Sequence, residues 1–245
     1  MRYIIKLQIV RGGTVIDFNS VSKIYKNEFT AVKNINLKID DGEFVFIVGK
    51  SGAGKSTLIK LLLREIIPSE GIITYNEQDI TKIRKRNVAQ YRRKIGFVFQ
   101  DYRLLPKMTV YENVAFAMEM ICSNSKTVRR EVPLVLSMVG LSDKAKYYPD
   151  ELSGGEQQRV AIARAVINKP ETIIADEPTG NLDPDTSKEI MKILTEINKR
   201  GTTVIMATHD MNIVQAYQKR IVELKRGVII RDIKTGGCID EPKEI

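Results

Sequence analysis

The stretch GKSGAGKS at residues 49–56 decides how the rest of the chain reads. It follows EFVFIVG (43–49), a continuous apolar run of the kind carried by a strand buried on both faces. It precedes STLIKLLLREI, whose Leu and Ile recur at helical spacing. Gly49, Gly54, Lys55 and Ser56 fall on the pattern G-x-x-x-x-G-K-[ST], with Lys50, Ser51, Gly52 and Ala53 inside the loop and Thr57 just past it. Glycines let backbone N–H groups curl round a phosphate, and the helix that starts behind them adds the positive end of its dipole. Lys55 is then placed to reach the β- and γ-phosphates of a nucleotide, and the Ser56 hydroxyl to ligate Mg²⁺.

Upstream of this loop, TVIDFNSV (14–21) and TAVKNINLKI (30–39) alternate like half-buried strands, with a polar turn between them. Downstream, GIITY and KIGFVFQ read as two more strands. From about residue 104 to 168 the periodicity is mainly helical, in VYENVAFAMEMI, VPLVLSMVGL and EQQRVAIARAVIN. This is the pattern of a helical insertion in an α/β core. Alternation resumes with ETIIAD (171–176), SKEIMKILTEINKR, TTVIMAT (202–208), MNIVQAYQ and RIVELKRGVIIRD. Strands alternating with helices argue for a mostly parallel sheet covered on both faces. Residues 1–13 are expected to be an extension, 14–236 the folded domain and 237–245 a tail.

With 43% hydrophobic and 28% charged residues among 245, the composition is that of a folded chain and excludes global disorder. The longest apolar runs are strand-length, well short of the roughly 20 residues that span a bilayer. The start, MRYIIKLQIVRGG, lacks the apolar core and cleavage site of a signal peptide. Cys122 and Cys238 are expected as free thiols in a reducing compartment. A single His and no Cys/His spacing argue against a structural metal cage. Part of the net charge of +9 sits in KIRKR (82–86), YRRK (91–94) and Arg129–Arg130. These clusters read as a solvated surface, or as a face turned to anionic lipid or an acidic partner. Direct nucleic-acid binding is not expected, because aromatics do not interleave with the cations.

TIIADE (172–177) is an apolar strand ending in two carboxylates. Asp176 suits Mg²⁺, held through water. Glu177 could orient or deprotonate a water attacking a γ-phosphate. Gln100 ends KIGFVFQ and His209 follows TTVIMAT, so both fall at the sheet edge where such folds bind ligand. Alone, either residue would be unremarkable surface. Beside the other motifs, Gln100 suits Mg²⁺ and the lytic water, and His209 the γ-phosphate. Together the motifs indicate a P-loop NTPase.

LSGGEQQ (152–158) is a second glycine-rich helix start, without a lysine. Ser153 and Glu156 match the S-x-x-E capping box, a purely structural reading. Yet glycines at the first two helical positions cost roughly 1 kcal/mol each against alanine. That cost makes sense if something must approach the backbone closely, such as a phosphate held by another copy of the chain.

The set GKSGAGKST, Gln100, LSGGEQQ, TIIADEP, GNLD (180–183) and His209 resembles the ATP-binding-cassette ATPases, over about residues 15 to 235. The resemblance implies a RecA-like α/β core, an N-terminal antiparallel β subdomain and an inserted α-helical subdomain at about 104–168. It implies ATP and Mg²⁺ as ligands, Glu177, His209 and Gln100 in catalysis, and Tyr25 stacked on adenine. It implies that Ser153, Gly154, Gly155 and Glu156 meet the ATP of an opposite subunit, that Asp183 links the two sites, and that ATP binding makes a homodimer. Lys50 stands where the family more often has proline. The stretch FQDYRLLPKMTVYENVAFAM (99–118) is similar to the cell-division branch of the family. That likeness implies an FtsX-like integral membrane partner, a peripheral location on the cytoplasmic face of the membrane, and indirect control of extracellular wall hydrolases. Cassettes of the lipoprotein-release or macrolide-export type are the alternative.

Overall fold

The computed structural model describes residues 13–26 and 28–234. The expected tail, Cys238 and all of the expected extension except Gly13 lie outside the described residues. The described chain divides into two compact units. The first takes Gly13, Asp41–Glu43 and Ile83–Val204; the second takes Thr14–Asp40, Phe44–Lys82 and the chain from Ile205 onward.

In the second unit, β1 (Thr14–Ile24), β2 (Thr30–Asp40), β4 (Glu70–Tyr75) and the short β5 (Gln78–Asp79) form a sheet of order β2-β1-β4-β5. Every printed pairing in it is antiparallel, with Phe18 opposite both Leu37 and Ile73. Alternation places Ile35, Leu37 and Ile39 of β2 in the core, as the sequence pattern requires. β3 (Phe44–Val48) is buried at every residue, which fits its uninterrupted apolar run. It lies parallel to β9 (Arg220–Lys225), with Phe46 opposite Ile221, and next to β8 (Thr203–Thr208). The run RIVELKRGVIIRD is a hairpin, β9 returning antiparallel as β10 (Val228–Ile233) through a turn at Arg226 and Gly227, both at positive φ. α1 (Lys55–Leu62) and α7 (Met211–Tyr217) complete this unit.

In the first unit, β6 (Ile95–Val98) pairs parallel with β7 (Thr172–Asp176). β6 stops two residues before Gln100, which therefore lies in the following turn rather than at the strand's end. The basic segment forms a helix the sequence reading did not anticipate, α2 (Lys85–Arg92), which buries only Tyr91. The helical run is α3 (Val110–Glu119), α4 (Ser125–Met138), a 3₁₀ turn at Pro149–Glu151 and α5 (Gly154–Val166). α4 starts well before VPLVLSMVGL and runs through Pro133. Asn124 caps its start by accepting from Thr127 N at 2.8 Å, and burial of Val128, Val132 and Leu136 outweighs the backbone bond that proline removes. α6 (Pro184–Lys199) follows β7. Among the described residues no helix is long and apolar enough to cross a membrane.

Arg220 joins three strands of the second unit. Its buried guanidinium donates to Asp232 Oδ1 at 2.8 Å and Oδ2 at 2.7 Å, and to Lys38 O at 2.8 Å. Asp232→Ala leaves that cation buried without its carboxylate and is expected to cost about 2–3 kcal/mol, read as a lower urea midpoint at unchanged slope. Replacing Arg220 by Met in the same chain should recover most of the loss. An unshifted midpoint in the single variant would show the pair to be structurally idle.

Candidate functional site

The second unit builds the phosphate loop from backbone. Gly49, Gly52 and Gly54 have φ of 154°, 76° and 110°. A side-chain carbon on Gly49 would stand 2.5 Å from Leu224 O; one on Gly54 would stand 2.9 Å from both Ala31 O and Val32 Cγ1. At Gly52 nothing lies within 4 Å, so the left-handed φ alone asks for glycine. Gly227 N donates to Ala53 O at 3.0 Å and Gly227 O accepts from Lys33 N at 2.8 Å, so the β9–β10 turn clamps the loop to β2. α1 starts on Gly54, and no side chain caps its first N–H groups. Those orphan donors and the helix dipole make an anion site. Lys55 is buried behind them and donates to Gly49 O at 2.6 Å. Ser56 is exposed, and Lys50 points into solvent, so the departure from proline is accommodated. Tyr25 is half-buried just past β1, its backbone bonded to Phe29 O and Glu28 N at 2.9 Å each. His209 is exposed directly after β8.

The first unit gathers the acidic residues and the glutamine. Asp176 ends β7, and Glu177, the next residue, has φ 47°. A glutamate held there stores roughly 1–3 kcal/mol of strain, of a kind found at catalytic positions. Glu177 O accepts from Gly180 N at 3.1 Å. A side-chain carbon on Gly180 would meet Gln100 Nε2 at 3.5 Å and Glu177 Cβ at 3.6 Å, which puts the Gln100 amide beside Glu177. Asp183 is the N-cap of α6, accepting from Asp185 N and Thr186 N at 3.0 Å each. A hydrogen bond from the Thr186 side chain, then one from its backbone, holds the Asp183 carboxyl below its usual value.

The capping box at the signature is present: Glu156 Oε2 accepts from Ser153 N at 2.9 Å, and Ser153 Oγ from Glu156 N at 3.3 Å. The bond from the Ser153 backbone, followed by its hydroxyl and Lys144 at 3.4 Å, keeps Glu156 ionised below the usual glutamate range. The reason for Gly155 differs from the one the sequence suggested. A side-chain carbon there would collide with Thr186 Cγ2 of α6, so close helix packing inside the chain demands this glycine. At Gly154 such a carbon would stand 3.1 Å from the Tyr102 hydroxyl, an adaptable neighbour, so Gly154 alone keeps the reading of an accessible backbone.

Sequence reasoning missed two residues. Asn113 is fully buried and ties down the loop after Gln100: its Oδ1 accepts from Leu105 N at 2.8 Å, and its Nδ2 donates to the carbonyls of Leu105, Met108 and Thr109. Arg164 donates to the carbonyls of Tyr102 and Arg103 at 2.7 and 2.5 Å. A polar residue on a helix face carries no local sign of such partners.

Residues 32–180 match the family described as ABC transporter. The chain is 52% identical over 222 residues to the cell division ATP-binding protein FtsE of Bacillus subtilis, covering 91% of this chain and 97% of that protein. It is 53% identical over 223 residues to the protein of the same name from Mycobacterium tuberculosis, with the same coverage. A dimeric ATP-binding cassette solved in a post-hydrolysis state with ADP and Pi superposes with a TM-score of 0.82 at 38% identity, covering 91% of this chain and all of that one.

Gly155→Ala is expected to destabilise the first unit by about 1–3 kcal/mol through overpacking. Thr186→Ser removes the colliding methyl group and keeps the hydroxyl, so the double variant should regain most of that loss in a double-mutant cycle. Additive losses would mean that Gly155 answers to something other than Thr186.

Proposed function

The chain belongs to the ABC transporter family and hydrolyses ATP to ADP and phosphate, and from that premise we propose that it is the ATPase of a cell-division complex. Whole-length identity above 50% to FtsE proteins supports the biological setting over a lipoprotein-release or macrolide-export cassette. In this reading the chain acts on the cytoplasmic face of the membrane through an FtsX-like integral partner, and through it on wall hydrolases outside. The helical segment at about 104–168 and the Gln100 loop turn toward that partner.

The observation that carries the mechanism is a pair of unlike helix starts in one chain. α1 begins on an uncapped glycine with a buried lysine; α5 begins on a closed capping box with no cation but Lys144, which is bound to Glu156. The first suits the phosphates of ATP. The second suits the γ-phosphate of an ATP carried by another subunit, presented by Ser153 Oγ and the Gly154 N–H. Two head-to-tail copies would then enclose two ATP molecules, as a dimeric relative's structure encourages. Asp183 would link the sites, and Tyr25 would stack on adenine.

The donors available fit Mg²⁺, which takes hard oxygen ligands and relies on phosphate oxygens for much of its shell. The Ser56 hydroxyl, Asp176 carboxylate and Gln100 amide oxygen would hold it, and when bound it neutralises charge on the phosphates. Glu177 orients a water and takes its proton as the water oxygen bonds to the γ-phosphorus. The bond from that phosphorus to the bridging oxygen breaks, and ADP leaves with the electron pair. Lys55 and His209 stabilise the charge that develops, so catalysis is mostly positioning and electrostatics.

Glu177→Gln should keep ATP binding and trap an ATP-bound dimer on gel filtration while lowering kcat by about 100-fold or more. Near-normal turnover in this variant removes Glu177 as the base. Ser153→Arg should abolish hydrolysis while fluorescent-ATP affinity stays within about threefold, because the signature serves the other subunit's ATP. Equal loss of binding would place the signature in its own subunit's site.

A further inference from the structure

Between Asp79 and Asp101 the chain has seven Lys and Arg residues and no acidic one. Most of that charge lies on and around α2, where Arg84, Lys85, Arg86, Arg92 and Arg93 are exposed. Beside the end of α2, a cavity of about 160 Å³ is lined by Arg92, Arg93, Arg164, Asn168, Gly96 and Phe97. Its wall is fixed, since a side-chain carbon on Gly96 would stand 2.5 Å from Ala165 O. Asn168 donates through Nδ2 to Ala117 O at 2.8 Å, while its buried Oδ1 has no hydrogen-bond partner among the described residues.

We propose that this cavity seats a carboxylate-bearing peptide segment of the membrane partner, and that Arg164 relays its arrival to the Gln100 loop and the signature helix. The inference rests on the membrane partner put forward above. Three guanidinium groups ask for acceptors, and the planar fork of arginine suits a carboxylate. The Asn168 oxygen asks for a donor. A peptide supplies both, carboxylates for the arginines and N–H groups for the amide. A phosphate headgroup supplies acceptors alone.

The relay runs through bonds already in place. Arg164 holds the carbonyls of Tyr102 and Arg103, and both of those residues sit at positive φ, 57° and 49°. They follow Gln100 by two and three residues, and the Tyr102 hydroxyl borders Gly154. The Arg103 side chain braces the same loop, pairing with Asp101 at 3.1 Å and lying 4.1 Å over the Phe99 ring. A carboxylate arriving at Arg164 redistributes the donors that hold this strained turn. One guanidinium thus touches the incoming segment, the loop of Gln100 and, through Tyr102, the start of α5. Arg164 is a positioning residue in this scheme.

The test uses purified full-length chain and native membranes from cells lacking it, with background hydrolysis set by the Glu177→Gln protein. Wild type is expected to sediment with the membranes and to gain kcat. Arg92→Glu with Arg93→Glu should weaken membrane binding about tenfold or more, whereas Arg92→Lys with Arg93→Lys should stay within about threefold. Amidating the membrane carboxylates with carbodiimide and glycine methyl ester should abolish binding of the wild type. Arg164→Lys keeps the charge but cannot fork onto two carbonyls; it should bind membranes like wild type, show an unchanged KM for ATP, and lose the kcat gain. Unaltered binding by the double glutamate variant overturns the socket and leaves a partner docked elsewhere. Charge-dependent binding that survives amidation, or that is equalled by protein-free phosphatidylglycerol vesicles, assigns the face to lipid and overturns it too. Full stimulation of Arg164→Lys overturns the relay. Wild type that ignores native membranes altogether removes the partner reading itself.

Discussion

The absence of room at Gly49 and Gly54 is the constraint on which the rest depends. Leu224 O stands where a side chain at Gly49 would go, and Ala31 O and Val32 Cγ1 where one at Gly54 would go. The loop can therefore pack down only as bare backbone, and packed down it leaves its N–H groups at the head of α1. β3 anchors one side by complete burial and the Gly227 turn clamps the other. A donor array fixed before the nucleotide arrives has little reorganisation left to do during reaction, and such preorganisation is where electrostatic catalysis gets its strength.

The first unit uses strain where the second uses close packing. Glu177, Tyr102 and Arg103 all adopt left-handed backbone without being glycine. Each is held by specific bonds: Gly180 N to the Glu177 carbonyl, Arg164 to the other two. Residues held this way have few alternative placements nearby, so a change in the holding bond shifts the side chain discretely. That property suits a hydrolytic carboxylate and a loop that must report on a partner.

The signature helix combines two demands that first looked like rivals. Its capping box satisfies the N–H groups that start α5, and Lys144 adds charge to the same glutamate. Capping fixes the helix start, and a fixed start is what lets Ser153 and Gly154 face another molecule. Gly155 belongs to a different account, the approach of α6 through Thr186.

What the sequence determined by itself was local. The phosphate loop, the strand ending in Asp176 and Glu177, and the Ser153–Glu156 box are each spelled within eight residues, because their physics involves neighbours in the chain: turn geometry, helix start and strand burial. The half-buried strands β1 and β2 were legible for the same reason. The tertiary structure decided the rest. α4 runs through Pro133 because burial of one face outweighs a lost backbone bond, a balance no local propensity contains. Gln100 stands beside Glu177 because separate segments converge there. Arg164 and Asn113 matter because their partners lie on loops that only folding brings within hydrogen-bond reach, and Gly155 is needed because a methyl group of α6, some thirty residues on, takes the space.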